Sequence, residues 1–265
     1  MRLYFEVAKR SFRQTLTYRA ATLAGIFTNS VFGVFIATIY IAFYKSTEGG
    51  DQVSVAGWTV SQAVTMSWIS QAIIMVIFIW GWWEISLSIQ SGAVVSDMVK
   101  PMNYFGYWLS RDLGRAFAQL FLRCWPTFLV GAVLFNLEAP ASYGRAFAFP
   151  VSLVLATVLS FCWRFIINIW TFWTLDHRGI VALSMTLINI LSGFLIPLSF
   201  FPPGLRQIAE LLFFRGIIQM PSEIWLGQSS VLSGLLFQAI WLVILTGFSL
   251  WLFGCASRKV AIQGG

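Results

Sequence analysis

The sequence predicts an all-α membrane protein with six transmembrane helices. Its 265 residues are 58% hydrophobic and only 10% charged, whereas about a quarter of the residues in soluble domains are charged. Several uncharged stretches also reach the roughly 20 residues that a helix needs to cross the hydrocarbon core of a bilayer. A water-soluble fold is therefore excluded.

The first 19 residues predict an amphipathic helix at the membrane surface. Phe5, Ala8, Phe12 and Leu16 recur at helical spacing, and basic and polar residues occupy the other side. Such a helix would bury its apolar face in the inner headgroup layer and offer its basic face to anionic lipid or to a cytoplasmic partner. A simple basic anchor for the first span explains the same residues.

Six stretches are long and apolar enough to be spans. They cover residues 20–44, 63–83, 113–135, 149–172, 180–200 and 231–254. The third contains Arg123 and the fourth contains Arg164, whereas the other four are uncharged. The first run is too long for the apolar region of a cleaved signal peptide, so we expect a retained helix.

The basic residues predict the orientation of these spans. Eleven Lys and Arg fall on the two termini and on the second and fourth loops, four fall on the other loops, and two lie within spans. Because cytoplasmic loops carry the excess of Lys and Arg, both termini are expected in the cytoplasm. The net charge of +7 thus reflects topology and does not indicate a nucleic-acid partner.

The loop after the second span is too apolar for a plain linker. Gly92 and Pro101 interrupt it, and proline cannot continue a helix. A short helix outside the membrane is the predicted result. It would either be held by a cytoplasmic motor or pack against the inner ends of its own spans.

The segment 201–230, on the outer side, is also unusually apolar for a loop. It contains only four charged residues and three prolines, Pro202, Pro203 and Pro221. We expect it to re-enter the membrane as an outer gate or cap, because irregular backbone at that depth must be buried in protein or line a cavity. An interfacial hairpin that seals the outer side is the alternative.

The sequence offers no catalytic, cofactor or metal site. There is one histidine, and the three cysteines are far apart within apolar stretches, which leaves neither a catalytic relay nor metal-ligand spacing. No Gly-Lys dipeptide occurs, so a phosphate-binding Walker A loop is missing and any ATP hydrolysis must come from another polypeptide. Glu84, Asp112 and Asp176 are expected at inner span ends, which argues against a proton-coupled carrier.

The two arginines within spans allow two interpretations. Arg123 and Arg164 can snorkel or pair structurally, or one of them can face a central pathway and attract anionic groups, with Glu84 as the nearest counter-charge. Trp163 lies at similar depth and could stack on flat or cationic molecules if it faces a cavity.

The layout closely resembles the ABC-2 type permeases, the membrane subunits of bacterial ABC exporters, over the whole chain. Three segments carry the resemblance: Glu84 to Met102, Leu191 to Pro202 with the later Met220-Pro221 and Leu226-Gly227, and the basic tail Arg258 to Gly265. One departure is Gln90, which stands where the family often has arginine.

This resemblance implies a six-span half-transporter that dimerises with itself or with a sister permease above two ATPase subunits. Those subunits would bind the ATP and Mg²⁺, and this chain would be non-catalytic. The family's coupling helix falls on about Leu87 to Lys100 and its interfacial helix on Leu3 to Tyr18. The implied coupling residues are Glu84, Ile89, Gly92, Asp97, Lys100 and Pro101. The pathway or gate candidates are Arg123, Arg164, Trp163, Pro197, Phe201, Pro202 and Pro221.

Together these observations predict an exporter permease in the bacterial inner membrane. Its aromatic-rich spans favour an apolar or amphipathic cargo such as a drug-like molecule, a lipid or a hydrophobic peptide. An ATP-independent channel or carrier explains the span count but leaves the helix over Leu87 to Lys100 without a purpose. A membrane-embedded enzyme would need clustered His, Asp or Glu at depth.

Overall fold

A computed structural model describes residues 2–47, 54–81 and 83–263. Across these residues the chain is helical, apart from turns and one isolated bridge between Val55 and Trp58. Trp82, within the predicted second span, and Gly264 and Gly265, within the basic tail, lie outside the described residues. The all-α prediction is confirmed for the described part of the chain.

Twelve α-helices follow one another along the described ranges. They are α1 (Arg2–Thr17), α2 (Arg19–Ser46), α3 (Val60–Ile77), α4 (Glu84–Gln90), α5 (Val94–Met98), α6 (Tyr104–Gln119), α7 (Trp125–Leu134), α8 (Tyr143–Thr174), α9 (Arg178–Leu191), α10 (Pro203–Leu211), α11 (Gln219–Leu226) and α12 (Val231–Gln263). A π-helical turn, Leu120–Cys124, joins α6 to α7, and two 3₁₀ turns, Leu198–Phe200 and Phe213–Gly216, lie on either side of α10.

Five of these helical stretches are long and apolar enough to cross a membrane: α2, α3, α6 with α7, α8, and α12. The fifth predicted span, 180–200, was expected as one continuous helix. Instead α9 ends at Leu191 after 14 residues, or about 21 Å, which is shorter than the roughly 30 Å hydrocarbon core. Gly193 has φ +76°, a conformation that ends a helix, and Pro197 follows it.

The ends of α3 show why the predicted second span, 63–83, is displaced. Thr59 and Gln62 form a capping box that starts the helix earlier. Phe78 then adopts a left-handed conformation, with φ 59°, and closes the helix after Ile77. The candidate span is therefore Val60–Ile77, and residues 78–80 form a turn.

The third span begins nine residues before the predicted 113–135. The side chain of Asn103 accepts a hydrogen bond of 2.7 Å from the Gly106 amide and so caps α6. Arg111 and Arg115, expected in the inner loop, and Asp112, expected at the span end, all lie inside α6. The π-helical turn precedes Pro126, which cannot donate a backbone hydrogen bond and crowds the preceding turn.

Helix α1 is the amphipathic helix predicted over 1–19, and it packs directly on α6. The contact is close because Gly114 has no side chain, and a Cβ atom there would overlap the Ala8 carbonyl. Phe12 also packs on Phe117, with ring centroids 5.7 Å apart. The apolar face of α1 is thus partly covered by the third span.

Helix α8 lies at the centre of the fold, and α12, α11 and α4 pack along it. It runs from Tyr143 to Thr174, beyond the predicted 149–172, and α12 continues well past the predicted 231–254. In contrast, α2, close to the predicted 20–44, and α12 leave most of their apolar side chains uncovered. These two helices therefore present their surfaces to lipid or to another protein.

Candidate functional site

The segment between α3 and α6 forms two short helices where one was expected. Gly92 separates α4 from α5 and has φ +74°, which L-residues with side chains rarely adopt. Because the predicted coupling residues lie in it, residues 84–101 are called the coupling segment below. Its chain direction changes at Gly92 and again at Pro101, before the capped start of α6.

One face of the coupling segment is fixed to α8. Ile85 and Ile89 are buried, and the Ser86 amide and hydroxyl donate hydrogen bonds of 3.0 and 2.8 Å to the Asn168 side-chain oxygen. Thr171 donates to the Ser86 hydroxyl at 3.0 Å. Gln90 donates 3.0 Å to the Leu175 carbonyl at the end of α8. Gln90, the residue that departs from the resemblance noted in the sequence, thus joins the coupling segment to the loop between α8 and α9.

The other face of the coupling segment is uncovered. Leu87, Val95 and Val99 are exposed large apolar side chains. Lys100 pairs with Asp97 at 2.5 Å, and this hydrogen bond raises the pKa of Lys100. The segment therefore has a buried face toward α8 and an apolar face that nothing in the described chain covers.

A buried ion cluster lies beside α4. Asp112 accepts from Arg164 at 2.8 and 3.2 Å and from Arg115 at 2.9 Å. The side chains of Asp112 and Arg164 are each only 2% exposed. Because both charges are removed from water, their pairing in this geometry is what permits their burial. The cluster joins α6 to α8.

The same two arginines cap the carboxyl end of α3. Arg115 donates hydrogen bonds of 2.6 and 2.9 Å to the carbonyls of Met75 and Val76, and Arg164 donates one of 3.3 Å to the carbonyl of Ile77. Arg115 also lies over the Phe78 ring, 4.4 Å from its centroid. Positive charge at a helix carboxyl terminus is favourable, and these carbonyls have no partner within the helix. Three spans therefore meet at Asp112.

The expected counter-charge for the intramembrane arginines was wrong. Glu84 forms a two-point ion pair with Arg111, not with Arg123 or Arg164. The partner of Arg164 is Asp112, which was expected at the end of a span. The Asp112-Arg115 spacing of three residues, which pairs side chains on a helix, was the available signal.

Arg123 has a different environment. Its guanidinium donates to the Ala21 carbonyl of α2 and lies against Gly25, where any side chain would overlap it. No carboxylate lies within ion-pair distance of it in the described ranges. Its Nε is buried without a hydrogen-bond partner.

The predicted gate candidates lie on several different elements. Pro197 precedes the first 3₁₀ turn, Phe201 is half-buried after it, and Pro202 is exposed at the start of α10. Pro221 is buried inside α11. Trp163 donates 2.7 Å to the Ser184 hydroxyl of α9, and its ring packs on two phenylalanines of the second 3₁₀ turn.

Polar groups that sequence reasoning missed hold the outer segment, residues 201–230, in place. Gln219 accepts 2.8 Å from the Leu198 amide and donates 2.6 Å to Glu223. The backbone amide of Gln219 donates a hydrogen bond of 3.0 Å to the Ser192 carbonyl. Glu223 pairs with Arg215 at 2.7 Å. The backbone polar groups released where α9 breaks are therefore satisfied by α11.

The opposite end of α11 is attached to the start of α8. Arg145 donates hydrogen bonds of 3.1 and 2.7 Å to the carbonyls of Ile224 and Ser229. Trp225 donates one of 2.8 Å to the Glu138 carbonyl. None of these contacts was predicted from the sequence. The segment expected to be buried in protein or to line a cavity is thus mostly helical, and α11 is almost wholly buried.

A large apolar cavity of about 890 Å³ opens between α1, α3, α6, α7 and α8. Two irregularities border it, the π-helical turn and Pro150 within α8. Cys124, Phe128 and Phe149 are among its lining residues. A cavity of this size and character accommodates an apolar molecule or an acyl chain.

No group of three or more His, Cys, Asp or Glu side chains that could hold a metal ion occurs within the residues that the structure describes. The family model described as "ABC-2 family transporter protein" matches residues 21–264. The chain belongs to the ABC-2 transporter family. A search of curated proteins finds no match.

Membership of the ABC-2 family explains the general character of the chain. ABC-2 permeases are generally non-catalytic membrane subunits, and the family implies an ABC ATPase partner. The long apolar helices agree with an integral membrane protein of this family. The ABC-2 match begins at residue 21, so it covers both the coupling segment and the outer segment but not α1.

Proposed function

We propose that this chain is the permease subunit of an ATP-driven ABC-2 exporter, and that the coupling segment receives the motion of a cytoplasmic ATPase. One observation carries the proposal: the buried face of the segment is hydrogen-bonded to α8 through Ser86 and Asn168, while Leu87, Val95 and Val99 are exposed on its other face. An apolar patch on a segment between spans is characteristic of a protein-binding surface.

The contacts of Asn168 provide a route into the spans. Asn168 donates 2.7 Å to the Arg164 carbonyl, one turn earlier on α8. The Arg164 side chain in turn binds Asp112 and the end of α3. A displacement of α4 would therefore act on α8, α6 and α3 together. Glu84, through Arg111, would give α4 a second attachment to α6.

The complete transporter would contain two such permeases and two ATPase subunits that bind ATP and Mg²⁺. The second permease would be another copy or a sister chain, and the uncovered surfaces of α2 and α12 are available for that contact. Both termini would lie on the cytoplasmic side of a bacterial inner membrane. Helix α9 and the 3₁₀ turn after it would complete the fifth of six spans, and the outer segment would close the pathway.

The cargo would be apolar or amphipathic, such as a drug-like molecule, a lipid or a hydrophobic peptide. The apolar cavity of about 890 Å³ supports this class of cargo. ATP binding by the ATPases would move the coupling segments, and the dimer would open outward past residues 201–230. Arg164 would have a structural role because it is buried and paired, and Trp163, Pro197, Phe201, Pro202 and Pro221 would belong to or border the outer closure.

The test is purification of the tagged full-length chain from its native membranes in a mild detergent, followed by mass spectrometry. We expect a soluble protein with a Walker A loop at about one copy per permease. Val99→Asp should lose it, because a charge would enter an apolar contact, whereas Val99→Ile should keep it. Recovery of the wild-type chain alone, under conditions that preserve other complexes, would overturn the proposal in favour of an ATP-independent channel or carrier.

A further inference from the structure

A second, polar pocket of about 280 Å³ lies between α1, the first turn of α2, the end of α3 and α6. It is separate from the apolar cavity, because the contact between Ala8 and Gly114 joins α1 to α6 between them. Most of its lining side chains are polar, including Gln14, Tyr18 and Gln119. Its volume exceeds the roughly 30 Å³ share of one water molecule several times over.

The charged groups around this pocket do not balance. Arg111 is neutralised by Glu84, and Asp112 is shared by Arg115 and Arg164. Arg123 has no acidic partner in the described part of the chain. Three arginines of the lining, Arg111, Arg115 and Arg123, therefore face two carboxylates, Glu84 and Asp112, and Asp112 is also shared with the buried Arg164. Positive charge is left uncompensated. Surroundings of low dielectric strengthen the attraction of such a site for an anion.

The hydrogen-bond donors of Arg123 are only partly used. Its guanidinium contacts the Ala21 carbonyl, and its Nε is buried without a partner. Arg115, by contrast, uses its Nε and both terminal nitrogens for Asp112 and two carbonyls. The adjoining start of α2 has no side-chain cap, and uncapped helix amino termini favour anions. The free binding capacity of the pocket is therefore centred on Arg123.

We propose that this pocket binds a phosphate group, carried either by a membrane phospholipid or by a soluble phosphate compound. The planar guanidinium matches the geometry of phosphate oxygens and binds them through two parallel hydrogen bonds. Helix α1, whose amphipathic character favours the headgroup layer, forms one wall of the pocket through Gln14 and Tyr18. A phosphate bound there would supply the anion that Arg123 lacks.

Three compounds distinguish the two sources when they are titrated against the purified full-length chain in detergent. Dioleoyl phosphatidylglycerol carries acyl chains and phosphate, dioleoylglycerol carries only the chains, and glycerol 3-phosphate carries only the phosphate. We expect phosphatidylglycerol to bind at least about tenfold more tightly than dioleoylglycerol, as a charge-assisted contact implies. Equal binding of glycerol 3-phosphate and phosphatidylglycerol would identify a soluble phosphate as the ligand.

Two test variants, Arg123→Gln and Glu84→Gln, should change phosphate binding in opposite directions, and Arg13→Gln is the control. Arg123→Gln should reduce the preference for phosphatidylglycerol to within about twofold, whereas Arg13→Gln, on the exposed face of α1, should leave it unchanged within about twofold. Glu84→Gln should strengthen phosphate binding severalfold, because it removes a negative charge from the lining. An increase of this kind is not the result of a damaged fold.

The proposal is overturned if neither phosphate compound binds more tightly than dioleoylglycerol. It is also overturned if Arg123→Gln and Arg13→Gln weaken binding equally, since the phosphate would then be attracted by the surface charge of α1. Should Arg123→Gln fail to fold, Glu84→Gln decides: unchanged or weaker phosphate binding in that variant contradicts the assignment. None of these measurements requires an ATPase, so they are independent of the exporter proposal.

Discussion

Arg164 and Asp112 form a buried ion pair, 2.8 Å apart, that joins the fourth span to the third. Asp112 also holds Arg115, and both arginines cap the end of α3. The carbonyls at the end of α3 therefore accept hydrogen bonds from arginines of α6 and α8, where they would otherwise bind water.

Asp112→Asn should destabilise the protein by about 3 to 5 kcal/mol, because it leaves two buried arginines without a counter-charge. Thermal unfolding of the purified chain in detergent measures this. Glu84→Gln, which breaks a more exposed pair, should cost no more than about 1 kcal/mol. A similar loss of stability in the two variants would contradict the structural importance assigned to Asp112.

Asn168→Leu should separate ATP hydrolysis from transport in the reconstituted complex. The substitution removes the acceptor for the Ser86 amide and hydroxyl, so α4 would no longer move with α8. We expect transport per ATP hydrolysed to fall at least about fivefold, since two hydrogen bonds of about 1 kcal/mol each are lost. Thr186→Val, which removes a hydroxyl bonded only within α9, is the control and should leave the ratio unchanged.

Gly92→Trp should abolish substrate-stimulated ATP turnover while the protein remains in the membrane. Gly92 lies at the bend between α4 and α5 with open space around it, so the damage would come from the left-handed backbone, at about 1 to 2 kcal/mol, and from bulk at the ATPase contact. Asparagine tolerates this conformation, and Gly92→Asn should therefore retain most of the stimulation. Normal coupling in the tryptophan variant would refute the assignment of the segment.

Gly193→Ala should loosen the outer segment. A Cβ at this position, with φ +76°, would overlap the Gln219 side chain, which holds α11 to the break after α9. We expect a loss of about 1 to 3 kcal/mol and faster proteolysis within residues 201–230. Gly179→Ala, in the open first turn of α9, should be neutral or slightly stabilising. Equal sensitivity of the two variants to protease would argue against the role of Gln219.

An apolar cargo should protect Cys124 from alkylation, because Cys124 lines the apolar cavity. In a chain with Cys162→Ala and Cys255→Ala, a cargo at ten times its Kd should slow labelling by a membrane-permeant maleimide about elevenfold. A matched chain that keeps only Cys255 should show no protection, since Cys255 lies on α12 and is not among the residues that line the cavity. Protection of both cysteines would indicate a general effect on the membrane.

The sequence was sufficient for features that depend on composition and periodicity. The apolar helices, α1 and the interrupted loop at Gly92 all follow from local patterns, and the resemblance to ABC-2 permeases is confirmed by the family match. The start of α6 was placed too late because Arg111, Asp112 and Arg115 were read as a boundary. Such residues remain inside a helix when partners from other helices neutralise them, which a single sequence does not reveal.

The outer half of the site depended on contacts between distant residues. The break after α9 is stabilised by Gln219, which lies more than 20 positions later in the chain, so the stabilising contact cannot be inferred from the apolar run itself. Likewise, Glu223 and Arg215 pair within an apolar segment, and their spacing of eight residues is not a recognised helical pairing. Two local irregularities, Gly193 and Pro197, were the only indications.

The π-helical turn at Leu120–Cys124 divides the third span into two α-helices, α6 and α7. Two neighbouring residues of this turn line different spaces: Arg123 lines the polar pocket and Cys124 lines the apolar cavity. Each residue of an α-helix advances the helix by about 100°. If the extra residue of the π-helical turn moved by one position along the helix, Arg123 and Cys124 would both be reoriented. The linings of the polar pocket and of the apolar cavity would then change together.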